Sequence, residues 1–483
     1  MSRILVGPFN RVEGDLEVAL DVEDGVVSSA RVTTTLYRGF EQILVGRAPG
    51  DSLVVAPRIC GICSVSQSLA AAAALRAAHG LTPARNGMLA TNIAHAAENL
   101  ADHLTHFYLF FMPDFARAEY AGRPWHAAAE ARFKAMQGSA SRDVLPARAR
   151  LLNVMGLIAG KWPHSLAFQP GGVTRTLDLG ERMRLAAIVA EFAGFLEETL
   201  FGAPLDAVLA LDGEDALGAF AEGEGKGGDA AHFLRIADDL DLAGLGRLSL
   251  PLMSYGAYPD GDGFLFPRGL VTTGDDAQAL ALDGLVEDHG HAWMAGAGAH
   301  PSTAETVPDA RRPDAYSWAK APRLDGSPVE VGAVARQAVA GHPLVRDLIR
   351  RGGGTSVRTR VVARLLELAL VTSALAGWVR DLDPRGPFCS DPAGAVPPGG
   401  AVGLVEAARG SLGHWLSVKD GRIAGYQIVA PTTWNFSPRD AAGIPGPAEQ
   451  ALAGTEVGAL AGRAAAIQHV IRSFDPCMVC TAH

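Results

Sequence analysis

Strand-like alternation of apolar and polar positions occurs in two places, near opposite ends of the chain. Leu16-Glu17-Val18-Ala19-Leu20-Asp21-Val22 is followed, after Asp24-Gly25, by the β-branched run from Val26 to Thr35. Asp-Gly between two such runs predicts a hairpin. Trp415 to Val418, Lys419-Asp420-Gly421 and Arg422 to Val429 predict a second one. The chain between them reads as mostly helical. Ala-rich Ser64 to His79 stops at Gly80, a common helix end. Helical spacing also runs from Asn86 to about Phe111, Leu179 to Leu200, Val361 to Val379, and Glu456 to Phe474 before Asp475-Pro476. Glu222–Asp229 and Pro384–Gly400 read as surface loops. The predicted fold class is mainly α with β hairpins near both ends, that is, α+β.

Val361 to Val379 is the most apolar long stretch, but Arg364 and Glu367 interrupt it. Its uncharged part is too short to span a bilayer, so it reads as a core helix rather than a membrane insertion. Composition agrees with a folded, soluble chain: 48% hydrophobic and 19% charged residues. A net charge of −10 argues against a non-specific nucleic-acid binder. The N-terminus lacks an apolar leader, and unpaired thiols suit a reducing compartment, so a cytoplasmic location is expected.

Five cysteines in 483 residues are too few for a disulfide scaffold. Their placement carries more. Cys60 and Cys63 lie near the start, Cys477 and Cys480 at the very end, and Cys389 stands alone. Two C-x-x-C pairs can form one four-thiolate site for a soft or borderline ion such as zinc, iron, nickel or copper(I). They can equally be two unrelated reduced pairs; a thioredoxin-like redox motif lacks its βαβ context. A shared site would join the chain ends across the whole fold. Length alone suggests about three domains, whereas a shared site predicts one interwoven unit over residues 1–483.

The residues around these pairs are distinctive. Arg58-Ile59-Cys60-Gly61-Ile62-Cys63 and Asp475-Pro476-Cys477-Met478-Val479-Cys480-Thr481-Ala482-His483 closely resemble the two signature motifs of the [NiFe]-hydrogenase large subunit. Further ordered elements are similar to that family: Arg11-Val12-Glu13-Gly14, Arg38-Gly39-Phe40-Glu41, Asp102 to Tyr108, Tyr316 to Arg323, Glu406 to Gly410, and Pro431 to Asn435. The resemblance implies a nickel held by four thiolates, with iron carrying two cyanides and one carbon monoxide. Cys60 and Cys477 would be terminal nickel ligands, and Cys63 and Cys480 would bridge the two metals. Cys477 would take a proton from H2 and Glu13 would carry it away. Arg409 would lie beside the metals, held by Asp102 and Asp475, with Thr433 donating to a cyanide. Ala408 stands where many members have proline. Glu41, His483 and a backbone carbonyl at Val429 resemble the ligands of a magnesium ion. The implied partners are an iron–sulfur small subunit, since one spare cysteine cannot hold a cubane, and hydrogenase maturation proteins.

Three details point toward the regulatory, hydrogen-sensing subgroup, which signals through a histidine kinase. The chain stops at His483, where catalytic members are generally made with a cleaved extension. Gln67 stands where most catalytic members have histidine, although Ser64 and Gln67 also fit a capping box for the next helix. Ile62 and Phe110 are bulky at positions that narrow the gas channel in sensors, or simply pack the core. The alternatives are an uptake hydrogenase oxidising H2 for respiration and, in another class, a zinc-thiolate scaffold. A metal-free respiratory-complex relative would lack most of the four cysteines.

Overall fold

The computed structural model describes residues 2–272, 276–392, 394–457 and 465–483. Both predicted hairpins form. Leu16–Glu23 pairs antiparallel with Val26–Thr34, and the turn residues Asp24 (φ 51°) and Gly25 (φ 81°) both adopt the left-handed conformation that a tight hairpin requires. Ser2–Val6 adds a third strand on the other edge. At the far end Gly410–Lys419 pairs with Arg422–Val429 through Asp420 (φ 51°) and Gly421 (φ 70°). Here too a third strand, Gly399–Ala407, extends the sheet. It begins where the 384–400 stretch was expected to be loop.

Alternation alone missed a hairpin in the middle, Leu252–Asp260 with Gly263–Val271, turned at Gly261. Gly256, Pro259 and Pro267 break its pattern, because proline gives no ladder hydrogen bond and demotes a strand on paper. The long helices match the 3.6-residue spacing. Ser64–His79 ends at Gly80 (φ 61°), where Leu81 N–H closes onto Arg76 O. Arg85–Thr105 continues as a widened turn, His106–Phe111. Within the predicted span Glu456–Phe474, Ala465–Ser473 is helical. Residues 458–464 of the expected span lie outside the described residues, and Glu456 bridges to Val26 as extended chain.

Val357–Asp381 is long and apolar enough to cross a membrane by composition, yet 72% of its apolar window is buried in the protein. Arg360 pairs with Glu330, and Glu367 with Arg336, both in the interior. It is a core helix, packed on Arg85–Thr105 and Leu179–Phe195. Ser64–His79 lies on the C-terminal sheet through small residues. A Cβ on Gly403 would fall 2.0 Å from Ala70 O and 2.4 Å from Ala74 N. This contact sets the helix that follows Cys63 against the strand that leads to Arg409. Gly403→Ala is therefore expected to lower stability by about 1–3 kcal/mol, read as a fall in the thermal unfolding midpoint, whereas Gly425→Ala, whose Cβ would meet only Ser417 Oγ at 3.0 Å, costs less.

Candidate metal centre

The two ends of the chain meet at the cysteines. Glu13 N–H donates to Pro476 O, and Met478 N–H to Glu13 O at 2.7 Å, so residues 13 and 477 pair as adjacent parallel strands. Gly14 (φ 84°) makes the approach possible, since a Cβ there would lie 3.1 Å from Val479 N. Arg38 reaches from the third segment. Its Nη2 donates to Val479 O at 2.6 Å and to Ile59 O, carbonyls next to Cys480 and Cys60. One guanidinium thus ties both C-x-x-C loops together.

The result is a cluster of four sulfurs, Cys60, Cys63, Cys477 and Cys480, all within 4.8 Å of one another. Cys60 and Cys477 are 3.6 Å apart, and Cys63 and Cys480 3.3 Å. Metal–sulfur bonds of about 2.3 Å put ligand sulfurs roughly 3.3–4.6 Å apart, so these two pairs suit a shared metal centre, while Cys477 and Cys480, 2.8 Å apart, would have to spread to hold it. The acid–base balance points the same way. Hydrogen bonds from Cys477, Cys480 and Cys63 pull the Cys60 thiol well down, while the Cys63 and Cys480 thiols are pushed well up. Four thiolates at this distance would repel, so all four would ionise together only around a bound cation. Cys389 is elsewhere: it is backbone-paired with Gly172 and its thiol faces Ser390 O at 3.7 Å.

Arg409 stands beside the cluster. Its Nη1 is 2.8 Å from Asp102 Oδ2, its Nη2 3.2 Å from Asp475 Oδ1, and its Nε donates to Asp475 O at 2.8 Å. Burial works against the charge, but Asp102 and Asp475, then Cys477 and Cys63, raise its pKa and keep it cationic. Asp475 sits at φ 58°, a left-handed geometry that aspartate tolerates better than most residues. Its Oδ2 is buried without a partner, as is Nη1 of Arg409 apart from Asp102. Glu13 is half-buried, and its pKa is raised by burial and then by the charge of Cys60.

Several expected residues sit differently. The Thr433 hydroxyl donates to Thr481 O at 2.8 Å and accepts from Ala430 N, so it braces the terminal turn and is not free to donate. The neighbouring Thr432 Oγ1 accepts the Cys477 N–H at 3.1 Å. Ser64 and Gln67 form no capping box. The helix N-terminus is closed by Glu98 from the neighbouring helix, whose carboxylate accepts Val65 N–H at 2.8 Å and Ser66 N–H at 2.9 Å. The buried Gln67 carbonyl contacts His414 Nε2 at 2.8 Å, and His414 Nδ1 contacts Tyr426 OH. Ile62 packs in the apolar shell around the cysteines, whereas Phe110 is half-buried on the widened turn, its carbonyl taking a bond from Arg11.

A second polar cluster lies behind the terminus. His483 is 3% exposed. Its Nε2 lies 2.6 Å from Ile428 O and 3.6 Å from Glu41 Oε1, so the carbonyl it meets is that of Ile428, one residue before Val429. Lys320 completes the group, reaching Glu41, Glu287 and Gln427 at 3.2, 2.8 and 2.9 Å. Burial opposes ionisation of Glu41, but Lys320 and His483 bring it down to about 2. Lys320 belongs to a motif the sequence displays. Its role needed the fold, because Glu41, Glu287 and Gln427 are far apart along the chain.

The two threonines separate by measurement. Thr433→Val is expected to destabilise the terminal turn by about 1–3 kcal/mol and speed amide exchange at 481–483. Thr432→Val should leave that exchange unchanged.

Comparison with known proteins agrees with this geometry. The sequence matches the family described as nickel-dependent hydrogenase over residues 38–135 and 142–483. It is 29% identical to the periplasmic [NiFeSe] hydrogenase large subunit of Desulfomicrobium baculatum, covering 100% of this chain and 95% of that protein. It is 26% identical to the hydrogenase-2 large chain of Escherichia coli K12, covering 100% and 97%. The uptake hydrogenase large subunit of Rhodobacter capsulatus is 27% identical over 100% of this chain and 95% of its own length. The fold superposes on the reduced Ni-Fe-Se hydrogenase of D. vulgaris Hildenborough with a TM-score of 0.85 at 28% identity, covering 100% of both chains. With four cysteines gathered as a nickel–iron centre requires, the chain belongs to the nickel-dependent hydrogenase family, as a [NiFe]-hydrogenase large subunit.

Proposed function

We propose that this chain splits H2 as the large subunit of a regulatory, hydrogen-sensing hydrogenase, working with an iron–sulfur small subunit and signalling through a histidine kinase in the cytoplasm. The observation that carries the hydrogen chemistry is the four-sulfur cluster with Arg409 beside it. Cys60, Cys63, Cys477 and Cys480 would hold the nickel and iron. When bound, that pair supplies the Lewis acid and the redox couple for H2 cleavage.

The chain's own residues handle the proton. Cys477 Sγ would accept it, and the backbone pairing of residues 13 and 477 supports Glu13 as the next group. Burial raises the pKa of Glu13 toward that of a thiol, which is what a relay between the two needs. Arg409 supplies fixed positive charge where anionic ligands of iron would lie, and Asp102 and Asp475 keep it there. Thr432 Oγ1 holds the Cys477 backbone N–H, and the Thr433 hydroxyl ties the terminal turn through Thr481 O. Glu41, His483 and the Ile428 carbonyl would hold a magnesium ion, with Lys320 joined to the same carboxylate.

Support for the sensor role comes from Gln67, committed to His414 instead of to a helix cap, and from Ile62 packed beside the cysteines. Uptake catalysis is the second reading, favoured by the names of the relatives, one of which is an uptake hydrogenase.

Infrared spectra of the purified protein should show one carbon monoxide and two cyanide bands, with a nickel-to-iron ratio near one. Zinc alone, without those bands, would overturn the proposal. Glu13→Gln should keep the bands and lower hydrogen oxidation about 10²- to 10⁴-fold. A sensor is expected to turn over slowly and to survive air; fast turnover with rapid loss in oxygen selects the uptake reading. Gln67→His, placing a ring against His414, is expected to preserve metal content while altering the oxygen response. An unaltered response would leave Gln67 as a packing residue only.

A further inference from the structure

Behind Arg409 lies a second buried guanidinium that the proton chemistry does not employ. Arg336, on the helix Ala333–Val339, is 1% exposed. Its Nε and Nη2 donate to Glu367 Oε2 at 3.1 Å and Oε1 at 2.7 Å. Its Nη1 donates to Glu406 Oε2 at 2.8 Å. The two remaining N–H groups go to backbone: Nη1 to Ala407 O at 2.8 Å and Nη2 to Ala408 O at 3.0 Å. All the donors of the fork are engaged. Those two carbonyls belong to the residues immediately before Arg409.

The turn there needs outside support. Ala407 pairs with Gly410, which leaves Ala408-Arg409 as a two-residue loop. Such loops favour turn types with a positive φ at the first central residue. Neither Ala408 nor Arg409 has one; only Gly410 does, at φ 130°. Local preference therefore does not fix the direction in which Arg409 leaves the turn. The loop is also pinned from one side, since a Cβ on Gly410 would fall 2.7 Å from Gly332 N. On the other side Glu367 contacts His103 Nε2 at 3.1 Å, and His103 is the neighbour of Asp102. Glu367 thus couples the Arg409 turn to the helix carrying the carboxylate that pairs with Arg409.

We propose that Arg336, seated on Glu367, is a positioning residue that fixes Arg409 beside the four-cysteine cluster by clamping the carbonyls of Ala407 and Ala408. This rests on Arg409 acting at a nickel–iron centre. Lysine keeps the charge at 336 but cannot reproduce the planar fork.

The test is Arg336→Lys in the complete, metal-loaded protein, read against the parent. If the parent itself lacks carbon monoxide and cyanide bands, the hydrogenase reading fails. If the parent has them, Arg336→Lys is expected to shift the cyanide bands and lower kcat for hydrogen oxidation roughly 10- to 100-fold. KM should change little. Amide exchange across 407–411, measured also on the metal-free chain, should rise. Leu185→Ala, a cavity variant buried on Leu179–Phe195, is the control for general destabilisation. Unmoved bands, or bands moved equally in Leu185→Ala, overturn the proposal. Should Arg336→Lys fail to load metal, exchange at 407–411 no faster than in the parent overturns it.

Discussion

Four sulfur atoms from opposite ends of a 483-residue chain must sit within 4.8 Å of one another, and their mutual repulsion has to be held in check. Much of the fold near the site serves that constraint. The N-terminal strap pairs residue 13 with residue 477 in parallel, Gly14 lets it approach Val479, and Arg38 joins the carbonyls beside Cys60 and Cys480. Glu98 closes the helix that starts just after Cys63, so the first cysteine loop is anchored by a distant carboxylate and not by its own sequence.

The interior charges answer a second need. Isolated buried ions are costly, and a buried ion pair rarely stabilises more than an apolar replacement would. Several of them here are placed along one helix, Val357–Asp381. Arg360 pairs with Glu330 and lies 3.9 Å over the Phe474 ring. Arg364 donates to Ser473 O and Phe474 O, directly before Asp475. Glu367 holds Arg336 and His103. Residues 360, 364 and 367 fall on one helix face. The same charges that disqualified this stretch as a membrane span in the sequence therefore orient the segments around Arg409. Their return is geometric definition, which catalysis needs more than stability.

Legibility followed the range of each interaction. The hairpins at Asp24-Gly25 and Asp420-Gly421 were readable because turn chemistry and alternation are local. The hairpin at 252–271 was not, because Gly256, Pro259 and Pro267 interrupt the alternation. Ser64 and Gln67 have the spacing of a cap, yet the cap came from Glu98, and Gln67 turned inward to His414. At the terminus, the hydroxyl that holds the Cys477 N–H belongs to Thr432 and the carbonyl beside His483 to Ile428, each one residue from the position the motif suggests. A motif gives the neighbourhood, while the backbone's rotation decides which neighbour points inward.

By itself the sequence determined the chemistry: two thiol pairs, a glutamate in an Arg-Val-Glu-Gly context, and an arginine with two acids, ordered as in one family. Residue identity and spacing suffice for that, since donor atoms are properties of side chains. Only the tertiary structure decided that the pairs share one centre, that Arg38 and Lys320 bind segments hundreds of residues apart, and that Arg336 stands behind Arg409. Those contacts form between segments that nothing along the chain connects, so they exist only once burial has brought the segments together.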